Sequence, residues 1–123
     1  MVRHLEGGGV NAYYAAYFEF FNRELFYEAH DVLEQIWLPI RKGPEGAFYK
    51  GLIQLAGAYV HLQKSRPGPS AALLKLARGN LKSFLPRHEK LDVRDVIIMI
   101  DDWLLEPRGL TAETAPKLHL MEE

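Results

Sequence analysis

Two histidines, a glutamate, a glutamine and a lysine occupy helical positions where apolar side chains would be expected, and they are the residues of this chain best suited to chemistry. In FNRELFYEAHDVLEQIW, residues 21–37, His30 and Glu34 are four apart, so they project from adjacent turns of one helix face. With His30 as origin and about 100° per residue, Phe26, Leu33 and Trp37 lie about 20–60° to one side. Glu24, Glu28, Asp31 and Gln35 collect on a separate arc that belongs in water. His30 and Glu34 are therefore expected to be buried. A carboxylate removed from water must be hydrogen-bonded, ion-paired, metal-bound or protonated.

The second pattern lies in FYKGLIQLAGAYVHLQ, residues 48–63. Taking Lys50 as origin, Gln54 falls at about 40° and His61 at about 20°, so the three form one stripe on an otherwise apolar helix. Gly57 and Ala58 flank the stripe, where their small size would let a neighbouring helix or a ligand approach. If the two helices pack side by side, as bundle neighbours with short connections do, a polar pocket of His30, Glu34, Lys50, Gln54 and His61 forms, with Trp37 beside it.

Three chemistries fit these residue types. A buried hydrogen-bond network would fix helix register without reaction. A divalent metal held by His30, Glu34 and His61 would be a two-histidine, one-carboxylate set able to activate water for hydrolysis. A metal-free acid/base pocket would use His30 or Glu34 to move a proton on a small substrate. The HxxxE spacing lacks the second close histidine of HExxH. The His30-Asp31 dipeptide lacks the upstream-helix histidine that HD-type phosphohydrolases need. The network reading, a structural or interaction module, is the first expectation; the alternative is a hydrolase-like enzyme with His30 and Glu34 as catalytic candidates. No cofactor is needed for folding, and a divalent metal at His30, Glu34 and His61 belongs to the metal form of that alternative.

The elements that must position these residues follow from caps and breakers. Asn11 to Phe21 is an aromatic first helix, whose tyrosines are expected in the core unless a hydroxyl reaches His30 or Glu34. Asn22 is expected to cap a second helix ending near Leu38, before Pro39. The third, Glu45–Lys64, is apolar nearly all round and so central. Its Gly51 and Gly57 cost helix propensity, which close packing would explain. Arg66-Pro67-Gly68-Pro69 is read as a break before a fourth helix, Ser70 to Leu85. A fifth, capped by Asp92, reaches Leu105. The expected fold is all-α, a single-domain bundle of about five helices at 10–105, between a flexible leader at 1–9 and a C-terminal tail at 106–123.

The 123 residues include no cysteine, which removes disulfides, thiol nucleophiles and Cys-ligated zinc and is compatible with a cytoplasmic location. No stretch approaches the roughly 18 apolar residues of a membrane helix, so no membrane partner is expected. Charge is uneven, with two basic and six acidic residues in 1–40, ten and two in 41–90, and three and eight in 91–123. Helices of opposite charge packed together explain this more simply than a docking surface for an anion. The face of Lys75, Arg78, Lys82, Arg87 and Lys90 has few interleaved aromatics, so a nucleic-acid partner is not expected. There is no P-loop, GxGxxG, GxSxG or zinc-finger spacing. Homo-oligomerisation stays open.

The two motifs together resemble the small all-helical bacterial and archaeal proteins of domain of unknown function family 309. Their pattern is FN-x-G-x-(F/Y)-(F/Y)-E-A-H-E-x-L-E-x-x-W followed by a helix with G-L-I-Q and a downstream histidine. Phe21, Asn22, Phe26, Tyr27, Glu28, Ala29, His30, Leu33, Glu34, Trp37, Gly51, Leu52, Ile53, Gln54 and His61 match it. Glu24 stands where glycine is usual, Asp31 replaces glutamate, and Leu38 stands where arginine often follows the tryptophan. The resemblance implies a helical bundle with a shared polar cluster and no established activity.

Overall fold

Asn11 starts the first helix as expected: its Oδ1 accepts from the backbone N–H of Tyr13 at 2.8 Å and of Tyr14 at 3.4 Å, satisfying donors that a helix N-terminus leaves open. The computed structural model describes residues 11–105 and 115–121. Five α-helices follow one another: α1 (Ala12–Asn22), α2 (Phe26–Ile40), α3 (Gly46–Gln63), α4 (Pro67–Leu81) and α5 (Val93–Leu105), with a 3-10 turn at Lys82–Phe84. The fold is the expected all-α bundle. The leader at 1–9 lies outside the described residues, as does most of the expected tail.

Asn22 does not cap α2. It belongs to the last turn of α1, which closes through Glu24 N–H to Phe21 O at 3.0 Å and Leu25 N–H to Phe20 O at 2.9 Å. That paired closure needs a left-handed residue between helix and exit, and Glu24 supplies it at φ 61°. This position is where the resembled family usually has glycine, the residue without a steric penalty there. Helix α2 begins four residues after Asn22 without a side-chain cap and continues through Pro39 to Ile40.

Helix α4 also differs from expectation, starting at Pro67. Prolines in a first turn lack N–H groups that would have had no intrahelical partner anyway, so Pro67-Gly68-Pro69 starts the helix rather than breaking it. Asp92 does cap α5, its Oδ1 accepting from Asp95 N–H at 2.9 Å.

Helix α3 is central, packing most extensively against α4 and then α2. Gly51 explains its closeness to α4: a Cβ there would come within 2.8 Å of Leu81 Cγ and 3.3 Å of Ala77 O. Phe21, Phe26, Leu33, Phe48, Leu52, Leu55 and Tyr59 are fully buried around α3, each contributing on the order of 1.5–3 kcal/mol by leaving water. Two tyrosine hydroxyls of α1 serve packing, Tyr17 donating to Leu52 O at 2.7 Å and Tyr14 to Glu89 O at 2.8 Å. Basic α4 meets acidic α5 through Arg78, whose Nε lies 2.6 Å from Asp101 Oδ1 and whose Nη2 lies 3.3 Å from Oδ2. No helix among the described residues is long and apolar enough to cross a membrane.

Candidate functional site

The face of α2 that enters the core carries Phe26, Ala29 and Leu33. Its centre lies roughly 60° from His30 and 100° from Glu34 at about 100° per residue. This corrects the expectation of burial: the His30 and Glu34 side chains are 30% and 34% exposed. Both stand at the shoulder of α2, beside the core. His30 Nδ1 lies 3.3 Å from Asp31 Oδ1 and 3.9 Å from Glu34 Oε1, and its ring stacks near Tyr27 at 6.3 Å and 11°.

The stripe on α3 turns toward α2 and α4 and forms the floor of an open groove. One lobe, of about 140 Å³, is lined by His30, Lys50, Ile53, Gln54, Gly57 and Leu73. The adjoining lobe, of about 190 Å³, is lined by Tyr27, His30, Gly57, Val60, His61 and Leu73. Four of the six pocket residues read from the sequence, His30, Lys50, Gln54 and His61, thus border one surface feature. Glu34 lines neither lobe, and Trp37 instead receives Lys50, whose Nζ sits 4.4 Å from the Trp37 ring centroid. Such a cation over an indole face contributes about 0.5–1 kcal/mol when exposed.

Gly57 lets Leu73 come down onto the groove floor, since an added Cβ would lie only 3.3 Å from Leu73 Cδ1. Gln54 is held by Asn80, whose Nδ2 donates to Gln54 Oε1 at 2.7 Å. The His61 Nδ1 atom is buried beside the groove without a protein partner.

The three expected metal ligands do not all come together. His30, Asp31 and Glu34 offer ligand atoms within 4.8 Å of one another, and His61 is not in that set, being on the α3 side of the groove. Asp31 was placed with the solvent-facing residues by helix phase, and it is exposed. Its place in the cluster comes from its neighbour His30, whose Nδ1 lies 3.3 Å from Asp31 Oδ1. Leu73 and Asn80 on α4 had no sequence signal linking them to His30; only the Gly51 close approach, which brings α4 onto α3, would have pointed there.

A second group of ligating side chains, Glu45, His88 and Glu89, also gathers within 4.8 Å. The structure therefore has groups of His, Asp and Glu that could hold a metal ion, formed once along a helix and once across the fold.

The molecule is thus an all-α bundle with an open groove of mixed polarity at the meeting of α2, α3 and α4. Residues 14–71 match the model of the family described as Domain of unknown function (DUF309), in agreement with the resemblance carried by the two motifs. The matched segment runs from α1 into the first turns of α4, so it contains every groove residue on α2 and α3 and stops short of Leu73. A comparison with curated proteins gives no match.

Proposed function

We propose that this chain is an interaction module and that the groove of α2, α3 and α4 is the surface it presents. The observation that carries the reading is the joint position of His30, Lys50, Gln54 and His61 on one open groove with an apolar wall of Leu73, Val60 and Tyr27. Tyr27 is 61% exposed and Leu76, one turn beyond Leu73, is 54% exposed. Apolar side chains beside fixed polar ends suit a partner segment that brings an aliphatic anchor and hydrogen-bonding groups. Lys50 and Gln54 are already ordered by Trp37 and Asn80, which lowers the entropy lost on docking. A cytoplasmic location belongs to this proposal, in keeping with a chain that has no cysteine; cell fractionation checks it.

The test places a photo-crosslinking amino acid at Tyr27, in the groove, and separately at Leu85, which does not line it. A discrete adduct formed in cells from position 27, absent from position 85 and lost when Gly57→Leu fills the floor, is the expected result. Adducts of equal yield from both positions, or none from position 27, overturn it. An adduct of twice the chain's mass identifies a second copy as the partner.

A second reading is favoured by one observation, the convergence of His30, Asp31 and Glu34. It is a divalent-metal site at the edge of the groove that would act as a Lewis acid toward water or substrate. Metal analysis of protein purified without chelators tests it. Stoichiometric zinc, iron or manganese that disappears in Glu34→Gln supports it, and metal-free protein that does not take up added manganese or zinc ends it.

A further inference from the structure

The C-terminal segment 115–121 is seated on the bundle by a set of contacts that read an extended backbone. Asn22 is the centre of it: Nδ2 donates to Leu118 O at 2.7 Å while Oδ1 accepts from Leu118 N–H at 2.7 Å. A side-chain amide used at both ends in this way replaces one residue of a neighbouring strand. Two residues on, Leu120 forms an antiparallel bridge with Leu91, and Met121 N–H donates to Lys90 O at 2.6 Å. Leu91 closes a tight turn, with His88 and Leu91 exchanging backbone hydrogen bonds of 3.0 and 2.9 Å and Glu89 and Lys90 at φ 48° and 60°.

Leu118 and Lys117 are the side chains of the segment that reach deepest into partners of the bundle. Leu118 is 2% exposed and joins the main core cluster. Lys117 Nζ donates to Asn22 O at 2.7 Å, an uncapped carbonyl in the last turn of α1 where a cation is favoured. Beside it a cleft of about 90 Å³ brings Asp92 and Asp95 together with Lys117 and His119, so the rim of the seat is acidic and what lies in it is basic.

We propose that the end of α1 and the 88–91 turn form a peptide-recognition slot for an extended basic-leucine segment, occupied here by the chain's own residues 115–121 and open to such a segment from a partner. The slot works by strand addition: backbone hydrogen bonds supply generic hold, one leucine socket and an acidic rim supply the choice. The chain's own segment is the competitor, so a partner's affinity is set by how readily that segment leaves. None of this uses the α2–α3–α4 groove, and the two proposals stand or fall separately.

The test uses the full-length protein carrying Leu118→Asp, which removes the anchor of the resident segment, and a fluorescein-labelled heptapeptide with the sequence of residues 115–121. Fluorescence anisotropy is expected to show saturable binding to Leu118→Asp, reversed by unlabelled heptapeptide. Binding to the wild-type protein should be at least tenfold weaker, and adding Asn22→Ala to Leu118→Asp should weaken it at least tenfold. If Leu118→Asp loses its helical circular-dichroism spectrum, Leu118→Ala is read the same way. A folded variant that takes up no peptide overturns the proposal, as does binding indifferent to Asn22→Ala. A wild-type dimer that the free heptapeptide dissociates supports it, since the segment is then exchanged between copies.

Discussion

The two clusters of histidine and carboxylates in this bundle have the same ingredients and opposite construction. His30, Asp31 and Glu34 come from five consecutive positions of α2 and keep side-chain exposures of 30–53%, the two carboxylates lying 3.3 and 3.9 Å from the imidazole nitrogen. Glu45, His88 and Glu89 come from opposite halves of the chain. His88 Nε2 lies 2.5 Å from Glu45 Oε1, and its ring packs between Phe48 at 4.7 Å and Phe84 at 4.8 Å. A cluster local in sequence inherits the openness of a helix surface and keeps room for a ligand. A cluster assembled across the fold has its imidazole wedged between two rings while Glu45 stays 40% exposed, and its work is to tie the 88–91 turn to the start of α3.

That contrast predicts its largest effect on stability. Replacing His88 with alanine removes the bond to Glu45 and two aromatic contacts, and is expected to cost about 2 kcal/mol. His30→Ala removes a half-exposed ring with loose partners and should change stability by less than about 0.5 kcal/mol. Urea denaturation of both variants measures the difference, and equal losses would erase the distinction between the clusters.

Alkaline pH probes the second cluster from another side. Burial pushes the Tyr49 phenol up to about 12, with the Glu89 and Glu45 carboxylates adding to the effect, and burial likewise raises Tyr14, Tyr17 and Tyr59. The unfolded chain loses these protons from about pH 10, while the folded one retains them. Stability from this source is therefore full below about pH 10 and is lost as pH climbs toward 12. Phenolate absorbance should rise together with loss of helical circular dichroism, and Glu45→Gln should move the Tyr49 ionisation downward. Ionisation of these tyrosines in a still-helical protein at pH 10 would contradict the burial argument.

For a divalent cation the ranking of the clusters reverses. If manganese or zinc binds, Glu34→Gln should weaken it at least tenfold, and Glu45→Gln should leave it unchanged, because the His88 imidazole of the turn group is already held against Glu45 and between two rings. Titration calorimetry separates the two, and a loss confined to Glu45→Gln would put the metal at the turn instead.

What the sequence revealed about these regions follows the distance over which each was built. Helical phase placed Lys50, Gln54 and His61 on one stripe, and the α2–α3 contact brought them to His30, because both facts depend on periods within single helices. The same phase argument overstated the burial of Glu34, since it located an apolar arc without weighting which part of that arc the core would claim. Asn22 looked like a helix cap because asparagine followed by an acidic turn is what a cap resembles; its amide is spent on Leu118, 96 residues away, and nothing local announces that. His88 was equally silent, as its partners Glu45, Phe48 and Phe84 meet it only after α3 and α4 have packed through Gly51.

A small gain in stability is predicted at the junction that delivers the first cluster to its place. Glu24 holds φ 61° between α1 and α2, a conformation costing an L-residue about 1–2 kcal/mol over its preferred basins. Glycine removes that cost and returns part of it by adding freedom to the unfolded chain, roughly 0.4–1 kcal/mol. Glu24→Gly should therefore stabilise the bundle by about 0.5–1 kcal/mol, a rise in Tm of about 2–4 °C for a chain of this size. The hydrogen bond from Gln63 Nε2 to the Glu24 carbonyl at 3.0 Å uses backbone and survives the change. Glu24→Ala removes the same charge and keeps Cβ, so it should give no such gain. If alanine stabilises as much as glycine, carboxylate repulsion with its neighbours, and not backbone strain, governs how α1 hands over to the helix of His30 and Glu34.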